Sequence, residues 1–127
     1  MKYFCFKFND VYSSESYEKL CYKYNIPTLH NRRTFLDLTF LHKIYNSTYD
    51  TPELLHELSL RIPTFLSKDK SLFYVQKSRV NVTKNSTMKR ITEEFNEILH
   101  KNDQLDLAMT NRVFSKSLRS ILYELQE

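Results

Sequence analysis

There is no glycine anywhere in the 127 residues, where ordinary usage near 7% would place about nine. That single absence removes whole classes of chemistry. Neither G-x-G-x-x-G nor G-x-x-x-x-G-K-S/T can be written without glycine, so Rossmann, P-loop and kinase-type nucleotide sites are excluded. The G-x-S-x-G hydrolase elbow goes with them. Type I′ hairpins also lose their preferred residue. The nine Asn are the available substitutes for left-handed backbone positions. Helix ends need few such positions and a many-turned β sandwich needs many. The expectation is an all-α fold.

A chain of this length forms one domain, and nine Phe with nine Tyr supply apolar area for a core without help from metals or disulfides. Two cysteines, Cys5 and Cys21, lack C-x-x-C spacing, and His30, His42, His56 and His100 are scattered. No metal site or cofactor is legible. The opening Met1 to Phe8 run is broken by Lys7 and followed by Asn9 and Asp10. It reads as neither a signal h-region nor a membrane span, so the expected location is intracellular with no membrane partner. Three Asn-x-Ser/Thr matches, at Asn46, Asn81 and Asn85, then read as chance products of an Asn-, Ser- and Thr-rich chain.

Periodicity divides the chain into about five helices. Phe4, Phe6 and Phe8 alternate like a strand without a partner, so residues 1–12 read as the remnant of an upstream helix or strand. Residues 13–62 form a helical part. Tyr17, Leu20, Cys21 and Tyr24 fall at i, i+3, i+4 and i+7, opened by Ser13 and Ser14 and closed by Asn25 ahead of Pro27. A wider apolar set (Phe35, Leu36, Leu38, Phe40, Leu41, Ile44, Tyr45) predicts a central helix over 29–46. Thr51, Pro52 and Glu53 then read as N-cap, N1 proline and first-turn acid of a short helix that Pro63 stops. Residues 63–87 are an extended basic segment with room for a short strand at Leu72-Phe73-Tyr74-Val75. Residues 88–127 hold two more helices, on Met88, Ile91, Phe95, Ile98 and Leu99, and on Phe114, Leu118, Ile121, Leu122 and Leu125 behind Thr110 and Asn111.

Charge is concentrated in one stretch. Residues 61–90 contain Arg61, Lys68, Lys70, Lys77, Arg79, Lys84, Lys89 and Arg90 against Asp69 alone, which is 8 − 1 = +7, while the whole chain is +4. Everything else therefore sums to −3. A basic strip with Phe73 and Tyr74 inside it suits phosphate contact and stacking on unpaired bases. The competing reading is a solvated loop whose two aromatics anchor it to the core. Arg79, Asn81, Asn85 and Arg90 add guanidinium and amide donors for phosphates and base edges. The same two Asn equally suit turn and cap positions before a helix beginning near Ser86 or Thr87. Arg33 and Asp37 stand i, i+4 and can pair across a turn, which leaves Arg32 as the freer arginine for a phosphate or a partner.

The run Leu29-His30-Asn31-Arg32-Arg33-Thr34-Phe35-Leu36-Asp37-Leu38-Thr39-Phe40-Leu41-His42-Lys43-Ile44, followed by Asp50-Thr51-Pro52-Glu53-Leu54-Leu55, resembles the region downstream of the reverse-transcriptase domain in jockey-like non-LTR retrotransposons. That region carries an L-x-x-R-R-x-x-x-D-L-x-F-L-x-K run, then S/C-P-E-L-L, an R-x-P step, an L-F-Y/H patch and an R-T-N-Y-x-x-N-S-P-x-x-R run. Arg61-Ile62-Pro63, Leu72-Phe73-Tyr74, and then Arg79, Asn81, Asn85-Ser86 and Arg90 follow in the same order. The likeness extends to Tyr3-Phe4-Cys5-Phe6-Lys7-Phe8-Asn9 and so covers nearly the whole chain. Val80, Val82 and Thr87 stand where the family has Thr, Tyr and Pro.

The resemblance implies a C-terminal accessory region of a larger polymerase. A reverse transcriptase holds two divalent ions on paired aspartates, and no Asp-Asp pair occurs in this sequence. The expected role is therefore non-catalytic: contact with RNA or single-stranded DNA through Arg32, Lys68, Lys70, Lys77, Arg79, Asn81, Lys84, Asn85, Lys89, Arg90, Phe73 and Tyr74. The alternative role is docking on the upstream reverse-transcriptase domain through the wide apolar helix over 29–46.

Overall fold

The computed structural model describes residues 17–62, 70–75, 77, 79–80, 86–102 and 105–124. Among these lie five helices and no strand: α1 (Tyr17–Lys23), α2 (Leu29–Tyr45), α3 (Pro52–Glu57), α4 (Thr87–Lys101) and α5 (Asn111–Glu124). The all-α architecture expected of a glycine-free chain is the one it adopts. Residues 1–16, 63–69 and 125–127 are outside the described residues, and with them the alternating Phe4, Phe6 and Phe8, the caps Ser13 and Ser14, the stop at Pro63 and Leu125.

Helix α2 is central, as its wide apolar set predicts. It packs on α4 and α5 and more lightly on α3, and it buries Leu38, Leu41 and Ile44 completely. Its start is secured twice. The Thr28 hydroxyl accepts from the Asn31 N–H at 3.2 Å, while the Tyr17 hydroxyl accepts from the Leu29 N–H at 2.8 Å. Two of the unsatisfied donors at a helix N-terminus are thereby used. From the opposite side α4 contributes Ile91, Phe95 and Ile98, and α5 contributes Phe114, Leu118, Ile121 and Leu122. These are the periodic positions of the sequence, and they form one core.

Helix ends show how the chain manages without glycine. After α1, Asn25 adopts φ 50, with Ile26 N–H bonding the Cys21 carbonyl and Asn25 N–H bonding Tyr22. After α2 the same pair of bonds recurs, Thr48 to Lys43 and Ser47 to Ile44. Both are Schellman motifs, which place one residue in the left-handed region. At α2 that residue is Ser47, φ 50, although Asn46 is adjacent. Asn46 is otherwise engaged: its amide nitrogen donates to the His42 carbonyl at 2.9 Å and to the Leu107 carbonyl at 2.9 Å. A left-handed serine costs about 1–2 kcal/mol in strain, and glycine's extra unfolded-state freedom costs about 0.4–1. Ser47→Gly is therefore expected to stabilise the chain by about 0.5–1 kcal/mol in urea melts.

Two sequence expectations are corrected here. The short helix does not run on to Pro63 but ends at Glu57, with Leu58 extended. The chain leaves the helix because residues 59–61 pair with residues 72–74. Arg61 N–H bonds the Leu72 carbonyl and Tyr74 N–H bonds the Ser59 carbonyl, both at 2.8 Å, around an antiparallel bridge between Leu60 and Phe73. Pro52 does stand at the N-terminus of α3 with Glu53 in its first turn. Thr51 occupies the cap position, yet its side chain makes no capping bond, since its φ of −135 and ψ of 69 depart from the usual cap geometry.

The link between α4 and α5 sends Leu105 and Leu107 into the core without being helical. Leu105 and Leu107 are buried as deeply as most core residues of the helices. Polar groups there are met locally and by α2. Asp106 accepts from the Ala108 N–H at 3.0 Å, and His42 Nε2 donates to the Met109 carbonyl at 2.8 Å. The His42 ring lies stacked on Phe114, centroids 4.3 Å apart. A loop whose carbonyls bond to a neighbouring helix avoids the cost of unpaired backbone groups.

Candidate nucleic-acid interface

The Asn96 amide ties the described part of the basic segment at 72–73 to α4. Asn96, on the buried face of α4 with 9% of its surface exposed, accepts from the N–H groups of both Leu72 and Phe73 at 3.1 Å. Its own nitrogen donates to the Phe73 carbonyl at 2.8 Å. Three backbone groups are satisfied by a single side chain, the arrangement a buried polar residue needs in order not to destabilise its surroundings. Further along α4, Ser71 Oγ and His100 Nε2 are 3.1 Å apart. Segment 71–73 thus runs antiparallel to α4. The Ser86 hydroxyl accepts from the Lys89 N–H at 3.4 Å, so the helix begins where the sequence expects.

This geometry splits the two aromatics. Phe73 is 1% exposed, edge-on to Phe95 with centroids 5.6 Å apart, and neither face of its ring is open to a base. The expectation that Phe73 stacks on nucleic acid is corrected: it is the anchor, because alternation along an extended segment sends consecutive side chains to opposite sides. Tyr74, the next residue, is 63% exposed. Lys70, Lys77 and Arg79 are exposed on the same solvent-facing stretch. Lys68, Asn81, Lys84 and Asn85 lie outside the described residues.

Of the cations on α4, Lys89 is half-buried and stands 3.9 Å from Glu93. Arg90 donates to Asp37 of α2 at 2.8 Å, with its own side chain 52% exposed. The i, i+4 pairing of Arg33 with Asp37 is thus replaced by one from a helix 53 residues away. Packing decides this, since α4 lies against the Asp37 face of α2. An ion pair so open to water contributes about 0–1 kcal/mol and leaves part of the guanidinium free to meet a phosphate. Arg32 is exposed but lies about 140° around α2 from Asp37, so the fold separates it from the strip.

Beside this pair sits Glu94, one of whose carboxylate oxygens is buried with no hydrogen-bond partner among the described residues. Burial pushes its carboxyl above the ordinary 4.5, and the Asp37 carboxylate adds to the rise, with Glu97 a smaller contributor in the same direction; Arg90 and His30 pull it partway back. A carboxyl with a raised value in the folded chain contributes stability that is complete below the unfolded value and lost as pH rises through the folded value. Glu94→Gln is expected to raise the melting temperature near neutral pH, with the gain vanishing once pH falls below about 4.5. Paired melts of parent and variant across that range would check it, and a gain that persists in acid would contradict it.

Sequence reasoning missed Asn96. The available signal was an Asn beside Phe95 on a helix face otherwise filled by Ile91, Ile98 and Leu99. Among the described residues, no three His, Cys, Asp or Glu side chains gather where they could hold a metal ion. None of the described helices is long and apolar enough to cross a membrane. No family model, curated protein or solved structure matches the chain.

Proposed function

We propose that this chain is a non-catalytic nucleic-acid-binding module, of the kind found downstream of the polymerase domain in non-LTR retrotransposons, and that its basic segment grips single-stranded RNA or DNA. One observation carries the reading. Within a stretch of net charge +7 over residues 61–90, Phe73 is buried and bonded to Asn96, while Tyr74, Lys77 and Arg79 are exposed. Cations that track a backbone, with an aromatic platform among them, are the combination that holds unpaired strands. Anchoring matters because a platform fixed in advance loses less entropy on binding. The ordered motifs of the sequence support the lineage, and the absence of an Asp-Asp pair from this sequence favours a gripping rather than a copying role.

The experiment is a binding titration of a single-stranded oligonucleotide with the purified chain and two variants. Tyr74→Ala should weaken binding by about 1–3 kcal/mol, roughly 5- to 150-fold, the worth of one stacked base. Tyr74→Phe, which keeps the ring, should bind within about twofold of the parent. Equal affinity for all three proteins would remove the stacking platform, and with it the preference for unpaired strands.

A further inference from the structure

We propose that α5 carries a second polyanion-binding face, distinct from the basic strip over residues 61–90, that takes the sugar–phosphate backbone of a nucleic-acid duplex. The inference deepens the nucleic-acid reading and rests on it. Arg112, Lys116 and Arg119 follow one another at i, i+4 and i+7, all exposed. With Asn111 and Ser115 they line a shallow depression of about 360 Å³. No acidic residue occurs on the helix before Glu124.

For the fold alone this is an unfavourable arrangement. Like charges at these spacings weaken a helix. Arg112 stands in the first turn, where the helix dipole favours an anion. No hydrogen bond or ion pair joins Arg112 or Lys116 to another described residue. Arg119 is held differently: its guanidinium lies over the Phe35 ring of α2, 5.1 Å from the centroid. A guanidinium held over a ring in this way keeps N–H donors available to oxyanions. The Ser115 hydroxyl donates to Asn111 Oδ1 at 3.4 Å, so an amide and a hydroxyl flank the row of cations. A polyanion seated here would relieve each of the unfavourable features together.

The spacing selects the duplex. From Arg112 to Arg119 the helix advances about 10 Å at 1.5 Å per residue. One duplex strand places a phosphate about every 3.4 Å along its axis, so the face spans roughly three. Cations fixed on a rigid helix suit such a regular array, whereas the exposed ring that an unpaired strand needs is on the other segment, at Tyr74.

The test compares the full chain with R112Q/K116Q, using a duplex of about 16 base pairs and a single strand of equal length, from roughly 50 to 200 mM salt. On the duplex the variant's plot of log K against log salt should be shallower by about 1.8, from 0.9 per lost contact, with affinity near 0.1 M salt down on the order of 50-fold. Single-strand binding should be unchanged. The variant should melt no lower than the parent, because the removed charges repel. Identical duplex slopes in a parent that still binds the single strand would overturn this inference alone. A parent that binds neither would overturn the reading beneath it. A lower melting temperature would assign the cations to the fold, and displacement of the duplex by polyglutamate at equal charge would assign the face to acidic protein. Either result overturns the proposal.

Discussion

Asn96→Leu should cost about 3–5 kcal/mol in urea unfolding. Leucine keeps the Cγ branching of asparagine and is the larger side chain, so no cavity is created. The loss comes from stranding the Leu72 and Phe73 N–H groups and the Phe73 carbonyl, each about 1–3 kcal/mol when deprived of a partner away from water. Domains of this size have only about 5–15 kcal/mol in total, so the variant should stand near the edge of folding. Hydrogen exchange should show lost protection at Leu72 and Phe73 before any change at Leu38 or Phe114. Asn96→Asp makes a useful second variant. Its carboxylate keeps both acceptor bonds but faces the Phe73 carbonyl with a lone pair, a repulsion that protonation removes. Its stability should recover as pH falls. An Asn96→Leu chain within about 1 kcal/mol of the parent would mean that the segment is held by Phe73 packing alone.

K77Q/R79Q should reduce single-strand affinity about 25-fold near 0.1 M salt, following from about 0.7 in slope for each lost phosphate contact. Both side chains are exposed, so the fold should tolerate the change within about 0.5 kcal/mol. That separation of binding from stability distinguishes the reading from its rival, in which the lysines of this stretch serve solubility and an apolar face of α2 docks on a polymerase. The rival has its own motivation, because Leu29 and Leu36 are exposed on α2. It predicts unchanged nucleic-acid affinity in K77Q/R79Q and association of the chain with a separately produced polymerase domain.

Periodicity in the sequence carries the helical framework well. Ile91, Phe95 and Ile98, and Phe114, Leu118 and Ile121, occupy the core positions that a 3.6-residue repeat assigns them. Less legible was whatever depends on contacts between distant segments. Leu105 and Leu107 are core residues in a loop without periodicity, buried because the far end of α2 supplies donors to their neighbourhood. The partner of Asp37 is Arg90 rather than Arg33, since the packing of α4 on α2 outweighs a weak local pairing. Phe73 and Tyr74 are adjacent and chemically alike, and only the bridge to Leu60 and the Asn96 bonds settle which of them faces inward. Glycine's absence anticipated Asn25 at a left-handed position. It did not anticipate Ser47, because the competing use of the Asn46 amide at Leu107 is a tertiary fact.

A filter-binding titration of a single-stranded oligonucleotide against salt tests the central proposal most directly. Five phosphate contacts predict a log K against log salt slope of about −3.5, a loss on the order of 100-fold between roughly 50 and 200 mM. A flat response, or no retention even at the lowest salt, would contradict the assignment of this chain as a nucleic-acid-gripping module.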